Sequence, residues 1–292
     1  MIELIFPRKY SALCLKSAFF GFFAHTGFVR GLNEIGFKPG VVTGSSSGAM
    51  IGALYASGVD MVEVENMILG LKKSDFWEGN SFTQLGRLIK KGIKGYSGVL
   101  TGKATRKLLY PYLGNKKFSD LSIRLGIAVS NLTKSRRELI TDGNVLDAVM
   151  ASIAFPFLYE VQKLNEDEFL DGGIGDGEPI KELIMDPNID RIIIHQINNN
   201  RPLSNSMIKR AFDASAQIIE TESEELKTML AREKGKKLIR LETSTPYLSP
   251  KDFSYGKFAL AEGRGTAYKH KDEILNENQF QLPSFPFSFP FQ

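Results

Sequence analysis

Residues 41–58, VVTGSSSGAMIGALYASG, decide the fold of this chain. The β-branched start predicts a short buried strand, and the small residues that follow predict a helix lying close to a sheet. Between them, residues 44–48 fit the pattern G-x-S-x-G in one register, with Ser46 at its centre. Such a strand–turn–helix holds a serine hydroxyl above the sheet, beside the free N–H groups of a helix N-terminus. A glycine- and serine-rich turn without chemistry is the alternative at this point.

Strands and helices alternate on both sides of this stretch. Residues 11–15 predict a strand, and residues 22–35 predict a helix that ends at Gly36. Because the order β-α-β-α favours parallel strands joined by right-handed crossovers, we predict an α/β fold with a mainly parallel central sheet. The loop after the first strand then lies at the same sheet edge as Ser46. Further helices are predicted at 62–71, 145–152, 207–232 and 258–275, and further strands at 125–131, 137–141, 160–164, 168–170, 191–197 and 238–243.

Composition sets the broad class of the protein. The chain has 292 residues, of which 42% are hydrophobic, enough to bury a sizeable core; we predict a single domain over residues 1–282. One cysteine, Cys14, excludes an internal disulfide and fits a reducing compartment. The three histidines are far apart, and neither H-E-x-x-H nor a cysteine pair occurs. We therefore predict neither a metal site nor a cofactor.

Two segments differ in composition from the rest. Residues 79–119 contain nine lysines and arginines and no acidic residue, with aliphatic side chains between them. This predicts a basic helical insertion or lid; peripheral contact with an anionic membrane surface is its functional interpretation, and a solvated insertion is the alternative. No nucleic-acid recognition motif is present, so nucleic acid is not an expected partner. Residues 283–292 consist almost entirely of proline, serine and phenylalanine, and predict a tail without compact structure.

The location of the protein is predicted from two absences in the sequence. The sequence contains no run of about 18 uncharged apolar residues, so no transmembrane helix is predicted. The N-terminus does not resemble a signal peptide, since Glu3, Arg8 and Lys9 precede the first apolar run. We expect a cytoplasmic protein, peripheral at membranes, with export by a route that reads no N-terminal signal as the alternative. The sequence makes no prediction of an oligomeric state.

A serine nucleophile needs a base, and the histidines are poorly placed to provide one. His195 lies within a predicted buried strand, His270 lies between two lysines, and His25 lies in the first helix. Asp171 is placed better, because it follows a predicted strand directly and precedes two glycines. Burial beside a hydroxyl would raise the proton affinity of its carboxylate. A simple turn built on Asp-Gly-Gly is the alternative.

Ser46 in its G-x-S-x-G turn, followed far downstream by Asp171-Gly172-Gly173, resembles the patatin-like phospholipases. Further matches to that family lie at Ala24-His25-x-Gly27, Gly102, Phe118-x-Asp120-Leu121, the S-x-x-x-P pattern of residues 152–156, and Pro179. The resemblance implies a three-layer α/β/α fold and metal-free hydrolysis of acyl esters in phospholipids or lysophospholipids. It also implies a dyad, with Ser46 as nucleophile and Asp171 as general base.

The first loop departs from this family. Its members have a glycine-rich loop whose backbone N–H groups form the oxyanion hole, whereas here the matching positions are Lys16, Ser17 and Ala18. The resemblance assigns the oxyanion donors to the backbone of these residues and of Ser47. Backbone N–H groups survive substitution, but side chains restrict the paths that such a loop can take.

Two hypotheses follow from this departure. The first is a phospholipase or lysophospholipase that acts at a membrane surface through Ser46 and Asp171. The second is a catalytically impaired relative that binds lipid or a partner because its altered loop has closed the oxyanion hole. Retention of both dyad residues favours the first.

Overall fold

The computed structural model describes residues 10–76, 98–200, 206–248 and 252–275. Within these ranges the strands are β1 (Tyr10–Leu15), β2 (Val41–Ser45), β3 (Gly98–Leu100), β4 (Arg124–Asn131), β5 (Arg136–Ile140), β6 (Phe157–Tyr159), β7 (Gln162–Leu164), β8 (Asp167–Asp171), β9 (Ile189–Asn198) and β10 (Lys237–Ser244). The helices are α1 (Phe22–Glu34), α2 (Ser47–Ala56), α3 (Met61–Leu69), α4 (Lys103–Leu113), α5 (Val145–Ser152), α6 (Gly172–Gly175), α7 (Lys181–Met185), α8 (Met207–Glu233), α9 (Gly256–Lys269) and α10 (Lys271–Leu275). None of the helices in these ranges has the length and apolar character needed to span a bilayer.

Eight of the described strands form one sheet in the order β10-β9-β1-β2-β4-β8-β7, with β5 also paired to β4. The five strands from β10 to β4 are parallel, which confirms the α/β prediction for this half of the sheet. Strands β5, β8 and β7 are antiparallel to their neighbours, so the sheet as a whole is mixed. The reason is partly geometric: the short connections from β4 to β5 and from β7 to β8 permit only antiparallel hairpins.

Both faces of the sheet are covered by helices. Alternate residues of β1 point to opposite faces, as the two-residue period of a strand requires. Leu13 and Leu15 join a large core with α1, α2, α3 and α5, whereas Ala12 and Cys14 join a second core with α7 and the end of α8. These two cores make the three layers of an α/β/α fold.

Helices α1 and α9 cross at very short range because glycines line the crossing. A Cβ atom on Gly27 would overlap the carbonyl oxygen of Leu260, and one on Gly263 would overlap the carbonyl oxygen of Ala24. Gly31 lies in the same row and faces Ala267. The backbone of α1 is thereby held against the C-terminal part of the chain.

The ends of α1 and α2 follow the sequence prediction. Gly36 has φ +84°, and the next N–H, from Phe37, donates to the carbonyl oxygen of Leu32 at 2.9 Å. Gly58 has φ +75° in the equivalent position after α2. A left-handed residue of this kind closes a helix at little cost only when it is glycine.

Two predicted elements differ from the structure. The predicted strand at 160–164 begins later, at Gln162, where β7 pairs with β8; a separate strand, β6, precedes it and pairs with β3. The predicted helix at 258–275 is interrupted at His270, whose backbone (φ −104°, ψ 19°) leaves the helical range between α9 and α10. Of the predicted insertion, residues 98–119 contain β3 and α4, while residues 79–97 and the predicted tail at 283–292 lie outside the described ranges.

Candidate active site

Ser46 lies between the end of β2 and the start of α2, with φ 54° and ψ −121°. This backbone conformation is strained for any residue other than glycine. Glycines at positions 44 and 48 allow the chain to pack closely enough for this turn. A Cβ on Gly48 would overlap the carbonyl oxygen of Leu15, and a Cβ on Gly44 would lie 2.5 Å from the carbonyl oxygen of Gly48. Close packing of strand, turn and helix therefore holds the Ser46 side chain at the sheet edge.

Asp171 is the last residue of β8 and lies against Ser46. The Ser46 hydroxyl donates a 2.7 Å hydrogen bond to Asp171 Oδ2, and the Gly173 N–H donates a 2.7 Å hydrogen bond to Asp171 Oδ1. Ser46 and Asp171 are 125 positions apart in sequence. They meet because β2 and β8 pair with successive parts of β4, at Arg124–Ala128 and at Val129–Asn131. The structure thus brings the two residues of the predicted dyad into direct contact.

The surroundings of Asp171 make its carboxylate unusually basic. The residue is 2% exposed, and burial raises the pKa of its carboxyl group from 3.8 to about 6, against the opposing hydrogen bonds from Ser46 and Gly173. At neutral pH the carboxylate is mostly ionised but poorly solvated. A carboxylate in this state accepts a proton from a hydroxyl more readily than a free aspartate does.

Ser152 fixes the backbone of Ser46. The Ser46 N–H donates a 2.9 Å hydrogen bond to Ser152 Oγ, and the Ser152 hydroxyl donates a 2.7 Å hydrogen bond to the carbonyl oxygen of Ala128 on β4. Ser152 is fully buried at the end of α5. From the sequence this serine is predicted only as part of the S-x-x-x-P pattern, without a role of its own. Its position in that pattern was the available signal.

We expect Ser152→Ala to lower the free energy of unfolding by about 2 kcal/mol, because it leaves the Ser46 N–H and the Ala128 carbonyl buried without a partner. We also expect kcat for an ester substrate to fall about tenfold, because the backbone of Ser46 is less firmly held. Thermal denaturation and initial rates measure the two effects. Ser119→Ala, at an exposed site, is the matched control and should match the wild type. Wild-type stability in Ser152→Ala would contradict the assigned contact.

The first two positions of the predicted oxyanion loop already use their N–H groups. The Lys16 N–H donates to the carbonyl oxygen of His195 at 3.1 Å, and the Ser17 N–H donates to the carbonyl oxygen of Gly177 at 2.8 Å. Both acceptors lie far away in sequence. The loop is therefore anchored to β9 and to the segment that follows Asp171.

The other two predicted positions border the cleft at Ser46. Ala18 and Ser47 both line it, and no acceptor among the described residues takes the Ala18 N–H. The Ser47 hydroxyl donates a 2.7 Å hydrogen bond to the carbonyl oxygen of Ala18, which ties the start of α2 to the loop. Phe20, two residues further on, has φ 54°, a conformation that glycine would adopt more easily. Its ring packs against those of Phe22, Phe76 and Phe253, which hold the loop in this path.

Two clefts meet at Ser46 and Asp171. We call the first the apolar cleft; its lining is almost entirely hydrophobic and includes Phe20, Met50, Ile68, Leu100, Leu108 and Leu158. The second, the charged cleft, lies between the segment after Asp171 and α8, and its lining includes Ser17, Asp176, Ser215, Glu220, Glu224 and Lys227. In the charged cleft the Lys16 ammonium forms ion pairs with Glu220 (3.0 Å) and with Glu224.

The three histidines have partners other than the dyad. His25 and His195 are buried and hydrogen-bonded to each other, and His270 contacts Glu273 at 3.2 Å. The interpretation of His195 as a satisfied core residue agrees with these contacts. In the described ranges no three histidine, cysteine, aspartate or glutamate side chains cluster as metal ligands do.

Comparisons with known proteins agree on one family. Residues 13–184, more than half of the chain, match the family pattern described as patatin-like phospholipase. A lysophospholipase, NTE1 of Yarrowia lipolytica, is 27% identical over 160 residues, which cover 55% of this chain and 11% of that protein. NTE1 of Saccharomyces cerevisiae is 24% identical over 160 residues, covering 55% of this chain and 9% of that protein. The chain thus matches only about a tenth of the length of these relatives.

A solved structure supports the same fold. The crystal structure of VipD from Legionella pneumophila superposes with a TM-score of 0.53 at 16% identity, covering 91% of this chain and 67% of that one. At this identity the likeness concerns the fold alone. The match over residues 13–184 shows that the chain belongs to the patatin-like phospholipase family.

Proposed function

We propose that the protein is a lipid acyl hydrolase that cleaves carboxylic esters through Ser46 and Asp171. The observation that carries this proposal is the 2.7 Å hydrogen bond from the Ser46 hydroxyl to the buried Asp171 carboxylate, on a strained strand-to-helix turn. Membership of the family and the similarity to proteins named lysophospholipases support a phospholipid or lysophospholipid as the substrate.

The proposed reaction has two halves. In the first, Asp171 takes the hydroxyl proton as Ser46 Oγ bonds to the ester carbon, and a tetrahedral oxyanion forms. The oxyanion collapses to an acyl-serine, and the departing alcohol receives the proton from Asp171. In the second, Asp171 takes a proton from water, the water attacks the acyl-serine, and collapse of this second oxyanion returns the proton to Ser46 and releases the fatty acid.

The Ala18 and Ser47 N–H groups are our candidates for the oxyanion hole. Both residues line the cleft beside Ser46, and the N–H groups of Lys16 and Ser17 have other acceptors. Two backbone donors aimed at one oxygen are sufficient for such a hole, and each typically contributes about 3 kcal/mol to the transition state.

The two clefts give the substrate an orientation. The apolar cleft fits the acyl chain, since burial of a hydrocarbon chain there removes apolar surface from water. The charged cleft then receives the alcohol part of the ester. Phe155 and Ile174 line the charged cleft and are 47% and 53% exposed, and Phe157, two residues after Phe155, is 85% exposed. These exposed apolar groups support approach to a lipid surface by this side of the domain.

A second candidate function is lipid binding without turnover. The observation that favours it is the use of the Lys16 and Ser17 N–H groups by other acceptors, which leaves fewer donors for an oxyanion than the glycine-rich loop implies. The intact contact between Ser46 and Asp171 favours hydrolysis.

Fatty acid release from vesicles separates the two candidates. Vesicles of mixed phospholipid and lysophospholipid, without calcium, would be incubated with the wild type, Ser46→Ala and Ser45→Ala. Ser45 is the matched control, because its buried hydroxyl has no hydrogen-bond partner among the described residues. We expect release by the wild type and Ser45→Ala, and none by Ser46→Ala. Vesicle binding without release by the folded wild type would exclude the hydrolase and support the second candidate.

A further inference from the structure

A buried relay of hydrogen bonds ends at the loop after β1. His25 on α1 and His195 on β9 are both fully buried, and their Nδ1 atoms lie 2.8 Å apart. His25 Nε2 lies 2.9 Å from the carbonyl oxygen of Lys16, and His195 Nε2 lies 2.8 Å from Thr243 Oγ1. Thr243 Oγ1 lies 2.7 Å from Thr266 Oγ1 on α9. The relay thus connects α9, β10, β9 and α1 to one backbone carbonyl.

The Lys16 carbonyl determines the direction of this relay. A carbonyl oxygen only accepts, so His25 Nε2 carries a hydrogen. Burial lowers the pKa of His25 to about 4 and lowers that of His195 as well, so each ring is neutral at pH 7 with one proton. His25 Nδ1 is therefore an acceptor and His195 Nδ1 donates to it. The Thr243 hydroxyl in turn donates to His195 Nε2.

The hydrogen bond from His25 holds the carbonyl side of the peptide group between Lys16 and Ser17, and the N–H side of that group is held as well. The carbonyl of Lys16 and the N–H of Ser17 belong to the same planar unit. His25 donates to the carbonyl, and the N–H donates to the carbonyl oxygen of Gly177 at 2.8 Å. A planar group anchored at both its carbonyl and its N–H has little freedom to rotate.

The Ala18 N–H belongs to the next peptide group along the chain. The peptide group after that one contains the Ala18 carbonyl. It is anchored as well, because the Ser47 hydroxyl donates to this carbonyl at 2.7 Å. The direction of the Ala18 N–H is thus set by the two anchored groups on either side. On the basis of the proposed function, we propose that His25 is a positioning residue, which aims the Ala18 N–H at the oxyanion by donating to the Lys16 carbonyl.

The ring orientations that this role requires are fixed by packing. The Phe28 ring stacks on His195 with centroids 3.9 Å apart and an interplanar angle of 9°. The His25 and His195 rings meet edge to face at 77°. Two buried imidazoles are costly unless every nitrogen is paired, and here all four nitrogens have partners.

A matched pair of amide variants tests this role. The side-chain nitrogen of glutamine can occupy the place of histidine Nε2 and still donate to the Lys16 carbonyl. Asparagine is one methylene shorter and reaches only the place of Nδ1, next to His195. The wild type, His25→Gln, His25→Asn and Ser46→Ala would be assayed with a soluble nitrophenyl ester. Inhibition would be measured with an alkyl trifluoromethyl ketone, whose carbonyl carbon bonds to Ser46 Oγ to give an oxyanion, and with the alkyl alcohol of equal length, which does not react.

We expect His25→Asn to lower kcat about 30- to 100-fold with KM within about threefold of the wild type. Affinity for the trifluoromethyl ketone should fall by a similar factor, and affinity for the alcohol should not change. His25→Gln should keep kcat within about fivefold of the wild type. Equal kcat in both variants, or loss of folding in both, would overturn the positioning role. Absence of hydrolysis by the wild type would instead overturn the proposed function itself.

Discussion

Asp171→Asn is expected to lower kcat by about 10⁴-fold, because an amide accepts no proton from Ser46 and the dyad has no second base. The side chain keeps its shape, so KM should change little. In the wild type, kcat/KM should fall as pH decreases through about 6, where Asp171 becomes protonated. Initial rates between pH 5 and 9 measure both effects. A kcat within about tenfold of the wild type would remove Asp171 from the mechanism.

The same variant should be more stable than the wild type at alkaline pH. Because burial raises the pKa of Asp171 from 3.8 to about 6, the folded protein binds this proton more tightly than the unfolded chain does. The resulting stabilisation is complete below pH 3.8 and is lost as pH rises to about 6, a difference of about 3 kcal/mol.

Above pH 6 the wild type holds a poorly solvated charge that asparagine does not carry. Asp171→Asn should therefore have a melting temperature several degrees higher than the wild type at pH 8, and this difference should vanish towards pH 4. Thermal denaturation at pH 4, 6 and 8 measures it. A difference that does not change with pH would show that the buried charge is not its cause.

Gly263→Ala should lower the free energy of unfolding by about 3 kcal/mol. This is near the upper end of the destabilisation usual when a methyl group is added to a well-packed core. The added Cβ would overlap the carbonyl oxygen of Ala24, and a backbone atom at the crossing of two helices cannot move aside alone. Helices α1 and α9 would have to separate. Melting temperature followed by circular dichroism measures the loss.

The neighbouring variant Gly265→Ala is the matched control for this change. Gly265 lies in the same helix on its exposed side, and nothing lies within 4 Å of a Cβ added there. Alanine should raise the free energy of unfolding by up to about 1 kcal/mol through its higher helix propensity. Similar melting temperatures for the two variants would contradict the close crossing of α1 and α9.

The elements that the sequence predicted well depend on local chemistry. The strand, turn and helix around Ser46 are specified by β-branched residues, two obligatory glycines and a glycine stop at Gly58. Helix α5 has the predicted bounds, residues 145–152. The contact between Ser46 and Asp171 was expected from two short motifs. The first two predictions rest on residues within one turn or one helix of each other, whereas the dyad contact, across 125 positions, was implied by the family resemblance.

The features that the sequence did not predict depend on partners far along the chain. Whether the N–H groups of Lys16 and Ser17 are free is decided by His195 and Gly177, more than 150 residues away. The antiparallel approach of β8 to β4 was likewise not predicted, because the pairing of Val129 with Asp171 follows from sheet order rather than from either strand alone. The same holds for Ser152, whose function is visible only once α5 lies beside Ser46.

The glycine crossing of α1 and α9 has a consequence for synthesis of the protein on the ribosome. Both dyad residues lie within residues 13–184, yet the face of α1 that carries Gly27 is covered by a helix spanning Gly256–Lys269. Strand β1, inside the sheet, likewise lacks its partner on one side until β9 has been synthesised. A nascent chain that has just passed Asp171 therefore contains both Ser46 and Asp171, while helix α1 is still uncovered. We expect ester hydrolysis to appear only after α9 has left the exit tunnel, so a chain that ends shortly after Asp171 should be inactive.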